Sequence, residues 1–256
     1  MSLMRNTETQ SPVNNLVFGI RVLLEALEAN KEIEKVFIRK GMQNEMTKKL
    51  TDRLIALNIP FQKVPIEKLN RISRKNHQGV IGYLSPINFA SLDNIVDQSF
   101  SKGQDAIIFL LDRITDVRNL GAIARSMESM GANAMVIPTK GGALISGDAM
   151  KTSAGALHHL PVCRVYDLKI AIRFLKDSGF RVLAITEKTQ VSLFKTDLLG
   201  PIACILGSEE DGISPDLLKL CDLQAQIPMK GQIASLNVSV SAGIALYEII
   251  RQRNDG

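Results

Sequence analysis

The chain has 256 residues, which allows one large domain or two small ones. Hydrophobic residues make up 45% and charged residues 22%, a composition that excludes a disordered chain, and no apolar run is long enough to cross a membrane. The net charge of +5 and the pI of about 9.1 are compatible with nucleic-acid binding but are shared by many soluble proteins.

The first part of the chain alternates predicted helices and short strands. Apolar spacing predicts helices over 17–29 and 45–57, and strands over 35–39, 61–64 and 79–84. This pattern predicts a small α/β domain over residues 15–85. Residues 86–104, with a proline, several Asn and Asp residues and Lys102-Gly103, are interpreted as a linker.

A basic segment lies at the end of this domain. No acidic residue occurs from Lys68 to Leu92, whereas five basic or ionisable side chains do: Lys68, Arg71, Arg74, Lys75 and His77. These five residues are candidates for RNA binding, although a solvated basic loop explains the pattern equally well.

The second part, residues 105–256, begins with a buried strand over 106–111. Further strands are predicted over 135–137, 181–185, 203–206 and 224–227, and helices over 120–130, 168–176 and 234–251. This alternation predicts a mostly parallel sheet with helices on both faces. Ligands of such sheets bind in the loops beyond the carboxyl ends of the strands.

Three segments at strand-to-helix junctions carry candidate functional residues. In the first, residues 119–125, Asn119 is predicted to cap a helix and Arg125 to lie on its second turn, where a guanidinium suits phosphate. In the second, residues 205–215, Gly207 is expected to admit a ligand close to the backbone, Glu209 lies just beyond a buried strand, and Ser214-Pro215 opens a helix.

The third segment runs from Ile227 to Ser239. A strand ends at Pro228, and a loop then enters a long helix whose start is rich in small and hydroxyl-bearing residues. Asn237, near that start, has an amide that can both donate and accept hydrogen bonds. Such a segment suits close packing or a cofactor.

Several other features of the sequence do not indicate a functional site. The glycines at 141, 142 and 147 lack the Gly-Lys-Ser/Thr ending of a P-loop and the spacing of a dinucleotide loop. His158 and His159 precede an apolar strand and are interpreted as structural. Three widely spaced cysteines in apolar segments indicate a reduced, cytoplasmic protein without a metal site. The polar residues Met1 to Asn15 predict no signal peptide.

Taken in order, the three segments resemble the SpoU branch of the knotted (SPOUT) RNA methyltransferases. Asn119, Gly121 and Arg125 match its N-x-G-x-x-x-R pattern, and Gly207, Glu209 and Gly212 match G-x-E-x-x-G. The segment from Ile227 to Ser239 matches I-P-M-x-G-x-x-x-S-L-N-V-S. The N-terminal part, through 17–19 and 77–79, resembles the L30e-like substrate-binding domain of enzymes that methylate a guanosine ribose in 23S rRNA.

The resemblance implies a C-terminal domain with a deep trefoil knot, S-adenosylmethionine as cofactor, no metal, and a homodimer formed through the C-terminal domain. The cofactor would contact six residues: Leu206, Gly207, Ile227, Met229, Ser235 and Leu236. Arg125 would pair with the target phosphate and stabilise charge developing on the ribose oxygen, since a guanidinium hardly ever loses its proton. Four further catalytic candidates, Asn119, Glu209, Ser235 and Asn237, would orient the ribose, the base or Arg125.

Three alternatives are weighed against this interpretation. A tRNA 2'-O-methyltransferase would share the chemistry and differ in substrate. A non-catalytic RNA-binding protein would not need the third segment. A small-molecule enzyme with a doubly wound sheet would need a nucleotide loop after the first strand, which residues 112–119 do not provide.

Overall fold

A computed structural model describes residues 15–232 and 235–254, so the predicted absence of a signal peptide lies almost entirely outside the described residues. The described chain forms two α/β units in sequence. Within the described residues, no helix is both long and apolar enough to span a membrane.

The N-terminal unit is built on a four-stranded mixed sheet of order β1-β4-β2-β3. Its strands are β1 (Leu16–Phe18), β2 (Ile33–Arg39), β3 (Phe61–Val64) and β4 (Val80–Leu84), and its helices are α1 (Ile20–Glu28), α2 (Glu45–Ala56) and α3 (Ile66–Ile72). Helices α1 and α2 bury Leu23, Leu50 and Leu54 against one face of the sheet. Helix α3 packs Leu69 on the other face.

The segment predicted as a linker contains a helix. Helix α4 (Leu92–Ser101) begins at Ser91, whose hydroxyl accepts a hydrogen bond from the Asn94 N–H at 3.5 Å. Its buried residues Leu92 and Val96 belong to the apolar core on one face of the C-terminal sheet. This part of the chain therefore packs with the C-terminal unit.

The C-terminal unit contains a six-stranded sheet of order β10-β8-β9-β5-β6-β7, and every strand pair in it is parallel. Its strands are β5 (Ile107–Leu111), β6 (Ala134–Pro138), β7 (Val162–Val165), β8 (Arg181–Ile185), β9 (Ile202–Leu206) and β10 (Leu223–Ala225). Its other helices are α5 (Val117–Ser129), α6 (Gly147–Thr152), α7 (Leu168–Asp177), α8 (Pro215–Leu218) and α9 (Val238–Asn254).

Helices cover both faces of this sheet, as predicted. Helices α5, α6 and α9 contribute to the core on one face, and α4, α7 and α8 to the core on the other. The predicted α/β fold with a mostly parallel sheet is confirmed, whereas the trefoil knot stays a prediction.

Two local predictions for α5 are wrong. Asp116, rather than Asn119, caps the helix, because its carboxylate accepts a hydrogen bond from the Arg118 N–H at 2.7 Å. The helix therefore starts two residues before Asn119, which lies inside its first turn. Arg125 is the ninth helical residue and lies on the third turn rather than the second.

The two units contact each other at the edge strand β7. The Arg164 guanidinium donates to the Ile33 carbonyl at 3.0 Å, lies 3.7 Å from the Glu32 carboxylate and 3.9 Å from that of Glu34, and stacks over the Phe89 ring at 4.1 Å. The β2 register shifts between Ile33 and Lys35, so Glu34 occupies an irregularity in the strand.

Candidate active site

Three side chains from distant segments meet at the carboxyl edge of the large sheet. Asn119 of α5 donates to Glu209 Oε1 at 2.7 Å, and Asn237, just before α9, donates to the same oxygen at 2.9 Å. Asn237 Nδ2 also lies 3.0 Å from Asn119 Oδ1. One oxygen of the carboxylate thus accepts two amide hydrogen bonds. Within the described residues, no hydrogen bond reaches its other oxygen, Oε2.

The orientation of the Asn237 amide is set by the start of α9. Its Oδ1 accepts hydrogen bonds from the Ser239 N–H at 2.9 Å and the Ser239 hydroxyl at 2.6 Å. An oxygen that caps a helix in this way leaves the amide nitrogen facing the opposite direction. The helix start therefore aims the Asn237 donor at Glu209.

The turn that carries Glu209 is tightly closed. A Cβ placed on Gly207 would lie 2.1 Å from both Gly212 C and Ile213 N. Glycine is therefore required at 207 because the backbone of residues 212 and 213 passes too close for a side chain. The expectation that a ligand also approaches this residue stays a prediction. Gly212 has a φ of +70°, a left-handed conformation that favours glycine.

Arg113 and Asp112, which follow β5, form an ion pair and hydrogen bonds with the turn that carries Glu209. Arg113 pairs with the Asp211 carboxylate at 3.0 Å and donates to the Gly212 carbonyl at 3.0 Å. Asp112 accepts a hydrogen bond from the Ser214 N–H at 2.7 Å. Arg113 has a φ of +58°, a left-handed conformation that is uncommon outside glycine. Sequence reasoning missed both residues, although their position beyond a central strand was a usable signal.

All six predicted cofactor contacts line one cavity of about 260 Å³ next to this cluster. They are Leu206, Gly207, Ile227, Met229, Ser235 and Leu236. The wall also includes Ile185, Thr186 and Glu187 at the end of β8, together with Glu209 and Glu210. The β8 residues were not predicted, although β8 itself was. Glu209 and Val238 also line a second cavity of about 320 Å³ that contains Asn119.

Arg125 does not join the cluster within one chain. It lies six positions after Asn119, a rise of about 9 Å along α5. Its side chain is exposed, and no hydrogen bond or ion pair involves it among residues 15–232 and 235–254. The structure thus brings together Asn119, Glu209 and Asn237, places Ser235 in the wall of the adjoining cavity, and leaves Arg125 apart.

Four of the five predicted RNA-binding residues are exposed: Lys68, Arg71, Arg74 and Lys75. His77 is the exception, and its prediction as an RNA-binding residue is wrong because its ring is buried. It is only 6% exposed, its Nδ1 accepts a hydrogen bond from the Gly79 N–H at 3.0 Å, and its Nε2 lies 3.0 Å from Asn70 Oδ1. With both ring nitrogens engaged, His77 stabilises the turn before β4.

Comparison with known sequences identifies the family. The sequence model of the SpoU rRNA methylase family matches residues 106–247. This chain belongs to the SpoU family. A second model, described as RNA 2'-O ribose methyltransferase substrate binding, matches residues 16–90. The family assignment made from the three segments is confirmed, and the chain is an RNA methyltransferase of this family.

Curated relatives share most of the chain. An uncharacterized tRNA/rRNA methyltransferase of Synechocystis is 34% identical over 97% of this chain, which spans 65% of that protein's length. A Staphylococcus saprophyticus protein named as a TrmH family tRNA/rRNA methyltransferase is 32% identical over 93% of this chain and 96% of its own length.

Solved structures share the fold. The SpoU methyltransferase AviRb of Streptomyces viridochromogenes with AdoMet has a TM-score of 0.60 at 24% identity, over 94% of this chain and 91% of its own. An RNA 2'-O ribose methyltransferase has a TM-score of 0.55 at 27% identity, over 93% of this chain and 88% of its own. A TrmH/SpoU tRNA modifying enzyme of A. aeolicus has a TM-score of 0.54 at 26% identity, over 63% of this chain and 85% of its own.

Proposed function

We propose that this protein transfers the methyl group of S-adenosylmethionine to the ribose 2'-hydroxyl of a guanosine in 23S rRNA. The observation that carries the proposal is the convergence of Asn119, Glu209 and Asn237 beside a cavity lined by all six predicted cofactor contacts. A carboxylate and two amides next to a ligand cavity can orient a hydroxyl nucleophile, which is the main task in an in-line methyl transfer.

The chemistry of the cavity fits the cofactor. Leu206, Ile227 and Leu236 offer apolar surface to an adenosine, and three carboxylates in the wall, Glu187, Glu209 and Glu210, suit a positively charged sulfonium. The AdoMet-bound AviRb structure supports the same cofactor in this family. S-adenosylmethionine supplies a methyl group already activated for transfer. The proposal involves no metal.

The protein would then handle the hydroxyl and its charge. Glu209 Oε2 can accept a hydrogen bond from the 2'-hydroxyl and take its proton, while Asn119 and Asn237 hold the carboxylate from Oε1. Ser235 would help to position the ribose at the boundary of the cofactor cavity. Arg125 would bind the adjacent phosphate and stabilise negative charge developing on the oxygen.

The position of Arg125 supports a homodimer formed through the C-terminal domain. An apolar stripe on α9 includes Val240 and Tyr247, 48% and 62% exposed, which lie two turns apart on one face. Gly243 lies between them and faces Ser126, the neighbour of Arg125. A partner that covers this stripe would receive Arg125 at its own site, so that each site is completed across the interface.

The choice of rRNA rests on the family description and on the substrate-binding unit that precedes the catalytic one. The solved RNA 2'-O ribose methyltransferase covers 93% of this chain, so the match extends over both units. A tRNA substrate is the second candidate, since the curated relatives are named tRNA/rRNA methyltransferases and the A. aeolicus tRNA enzyme has a related fold. With either substrate, the proposed location is the cytoplasm.

The test is transfer of radiolabelled methyl from S-adenosylmethionine to total RNA from a strain that lacks the gene. Label at an alkali-resistant guanosine linkage in large-subunit RNA would support the whole proposal. Label confined to tRNA would contradict the proposed substrate and keep the chemistry. Absence of label in naked RNA and in ribosomal precursor particles, despite measurable cofactor binding, would contradict the proposed activity and favour an RNA-binding protein.

A further inference from the structure

One face of the N-terminal sheet is only partly covered. Strand register places Leu16, Tyr83 and Lys35 in one row across β1, β4 and β2, and Phe18, Ile81 and Phe37 in the next. Helices α1 and α2 cover the opposite face. On this face α3 buries the Phe37 end, while Phe18, Lys35 and Tyr83 remain partly exposed.

Three lysines converge on the aromatic rings of this face. Lys35 Nζ and Lys68 Nζ lie 4.9 and 5.0 Å from the centroid of the same Phe37 ring, and Lys75 Nζ lies 5.9 Å from that of Phe18. Tyr83 packs edge-on against Phe37, with 6.1 Å between the ring centroids. Lysine side chains and aromatic rings, of which Phe37 is buried and Phe18 and Tyr83 are half-buried, thus alternate on one surface, which we name the lysine–aromatic face.

The positive charge of this face is not compensated within the described chain. None of Lys35, Lys68 and Lys75 forms a salt bridge there. The neighbouring acids Glu32 and Glu34 lie instead against Arg164 at the contact between the two units. Burial, together with the charge of Lys68, lowers the pKa of Lys35. Two ammonium groups held over one ring repel each other, and an anion between them would relieve that repulsion.

We propose that the lysine–aromatic face binds a single-stranded stretch of the RNA substrate, with its phosphates at Lys35, Lys68 and Lys75 and an unpaired base stacked on Tyr83 or Phe18. The inference rests on the proposed function and names the form of RNA that the N-terminal unit binds. Bases in an RNA duplex are already stacked and cannot reach a flat sheet surface, whereas unpaired bases can stack on aromatic side chains.

This face differs from the basic segment that the sequence suggested. Lys68 and Lys75 are common to both, whereas Lys35 and the three aromatic residues come from β1, β2 and β4 and were not among the RNA-binding residues predicted from the sequence. Arg71 and Arg74 lie instead along a neighbouring groove that Glu67 and Asn70 also line.

The first experiment measures binding of a fluorescein-labelled oligouridylate, and of a blunt-ended RNA hairpin, to the full chain. The double substitution Lys35→Ala/Lys68→Ala is expected to weaken oligouridylate binding more than tenfold. It should also reduce the slope of log affinity against log salt by about 1.4, the value for two lost single-strand phosphate contacts. The control Lys48→Ala/Lys49→Ala removes equal charge from exposed positions of α2, on the opposite face of the same sheet.

Several results would overturn the inference. They are equal weakening by the two double substitutions, hairpin binding as tight as that of oligouridylate, and competition by polyglutamate as effective as that by RNA. The last result would assign the face to an acidic protein.

Stacking is tested at Tyr83 separately. Tyr83→Leu is expected to weaken oligouridylate binding about five- to hundredfold, the usual range for one stacked base, whereas Tyr83→Phe retains the ring and should bind as the parent does. Circular dichroism of both variants checks that the unit is folded. Parent-like binding by a folded Tyr83→Leu protein would overturn the stacking role.

Methyl transfer separates this inference from the proposed function. The Lys35→Ala/Lys68→Ala protein should show a raised KM for RNA and an unchanged kcat. Arg125→Ala should instead reduce methyl transfer at least a hundredfold, while a further Lys35→Ala/Lys68→Ala change in that protein should still weaken oligouridylate binding more than tenfold. If the parent protein binds oligouridylate through this face but methylates no RNA, the inference holds and the proposed function fails. If methylation occurs and the double substitution leaves KM unchanged, the inference fails and the proposed function holds.

Discussion

At the scale of single residues, the hydrogen bonds within the cluster determine which of its atoms can bind a substrate. Both amide nitrogens of the cluster are directed at one oxygen of Glu209, and the Asn237 oxygen is engaged at the start of α9. What remains is Glu209 Oε2, at the boundary between two cavities. A hydroxyl that enters from one cavity would therefore meet a carboxylate already fixed in position, which lowers the cost of alignment.

Arg125 is expected to act on RNA and not on the cofactor. We predict that Arg125→Ala reduces methyl transfer at least a hundredfold, because one charged donor to the developing negative charge is lost. Its affinity for S-adenosylmethionine, measured by calorimetry, should stay within about twofold of the parent, since Arg125 does not line the cofactor cavity. Arg118→Ala, which removes an exposed arginine of the same helix, is the control. Loss of cofactor affinity in Arg125→Ala would contradict the assigned role.

Gly207 is expected to be a structural requirement. Gly207→Ala would place a Cβ 2.1 Å from backbone atoms of Gly212 and Ile213, so the turn must move. We predict a loss of about 1–3 kcal/mol in the free energy of unfolding, the usual cost of overpacking, measured by urea denaturation. Gly231→Ala is the matched control, because no atom of residues 15–232 and 235–254 lies within 4 Å of a Cβ at that position. A Gly207→Ala protein as stable as the parent would contradict the close approach of residue 207 to residues 212 and 213.

At the scale of elements, the turn after β9 is positioned by the loop after β5. Arg113 bonds to both Asp211 and Gly212, and Asp112 bonds to Ser214, so two loops from adjacent strands move as one unit. Glu209 lies within the turn that these contacts hold. Its position is therefore fixed by residues that touch neither proposed substrate.

Loss of the contacts from Arg113 to Asp211 and Gly212 should slow methyl transfer without unfolding the protein. We predict that Arg113→Gly, which suits the left-handed backbone at this position, lowers kcat about 10–100-fold through misplacement of Glu209. The KM for S-adenosylmethionine should change less than kcat. Lys219→Ala, which leaves the Arg113 contacts intact, is the control. An unchanged kcat in a folded Arg113→Gly protein would contradict a positioning role.

The sequence predicted those elements whose burial is continuous. The run 106–111 is apolar throughout and is buried throughout, so β5 could be placed with accuracy. Short helices such as α3 and α6 were missed because each buries only one apolar side chain, Leu69 or Ala149, which gives no periodic signal. The start of α5 was misplaced because Asp116 and Asn119 are both capable caps, and only geometry chooses between them. The hydrogen bonds from Arg113 to Asp211 and Gly212 join residues 98 and 99 positions apart, which no local sequence pattern reveals.

At the scale of the whole molecule, the contact between the two units contains a buried carboxyl group. Glu34 is 4% exposed, and burial raises its pKa to about 7 despite the nearby Arg164. Burial also lowers the pKa of Arg164. Burial therefore disfavours the charged form of each group, although the charge of its partner would favour it. The contact between the units should therefore respond to pH.

The free energy of unfolding should depend on the protonation of Glu34. Below pH 4.5 the Glu34 carboxyl is protonated in both states, and between pH 4.5 and about 7 the unfolded chain loses the proton while the folded chain keeps it. The free energy of unfolding should then fall as pH rises through this window, by up to about 3 kcal/mol, relative to Glu34→Gln. Urea denaturation at a series of pH values measures the difference, with Glu28→Gln as control. Parallel profiles for parent and Glu34→Gln would contradict the prediction.

The separation of the three site residues along the chain has a consequence for synthesis. Asn119 and Asn237 are 118 residues apart, and their contact closes only when the start of α9 is in place. At ribosomal rates of roughly 5–20 residues per second, ~6–24 s pass between the translation of one residue and that of the other. Throughout that interval the nascent chain contains a complete N-terminal unit but no assembled site. Under the proposed function, such a chain would bind RNA through its N-terminal unit before it could methylate that RNA.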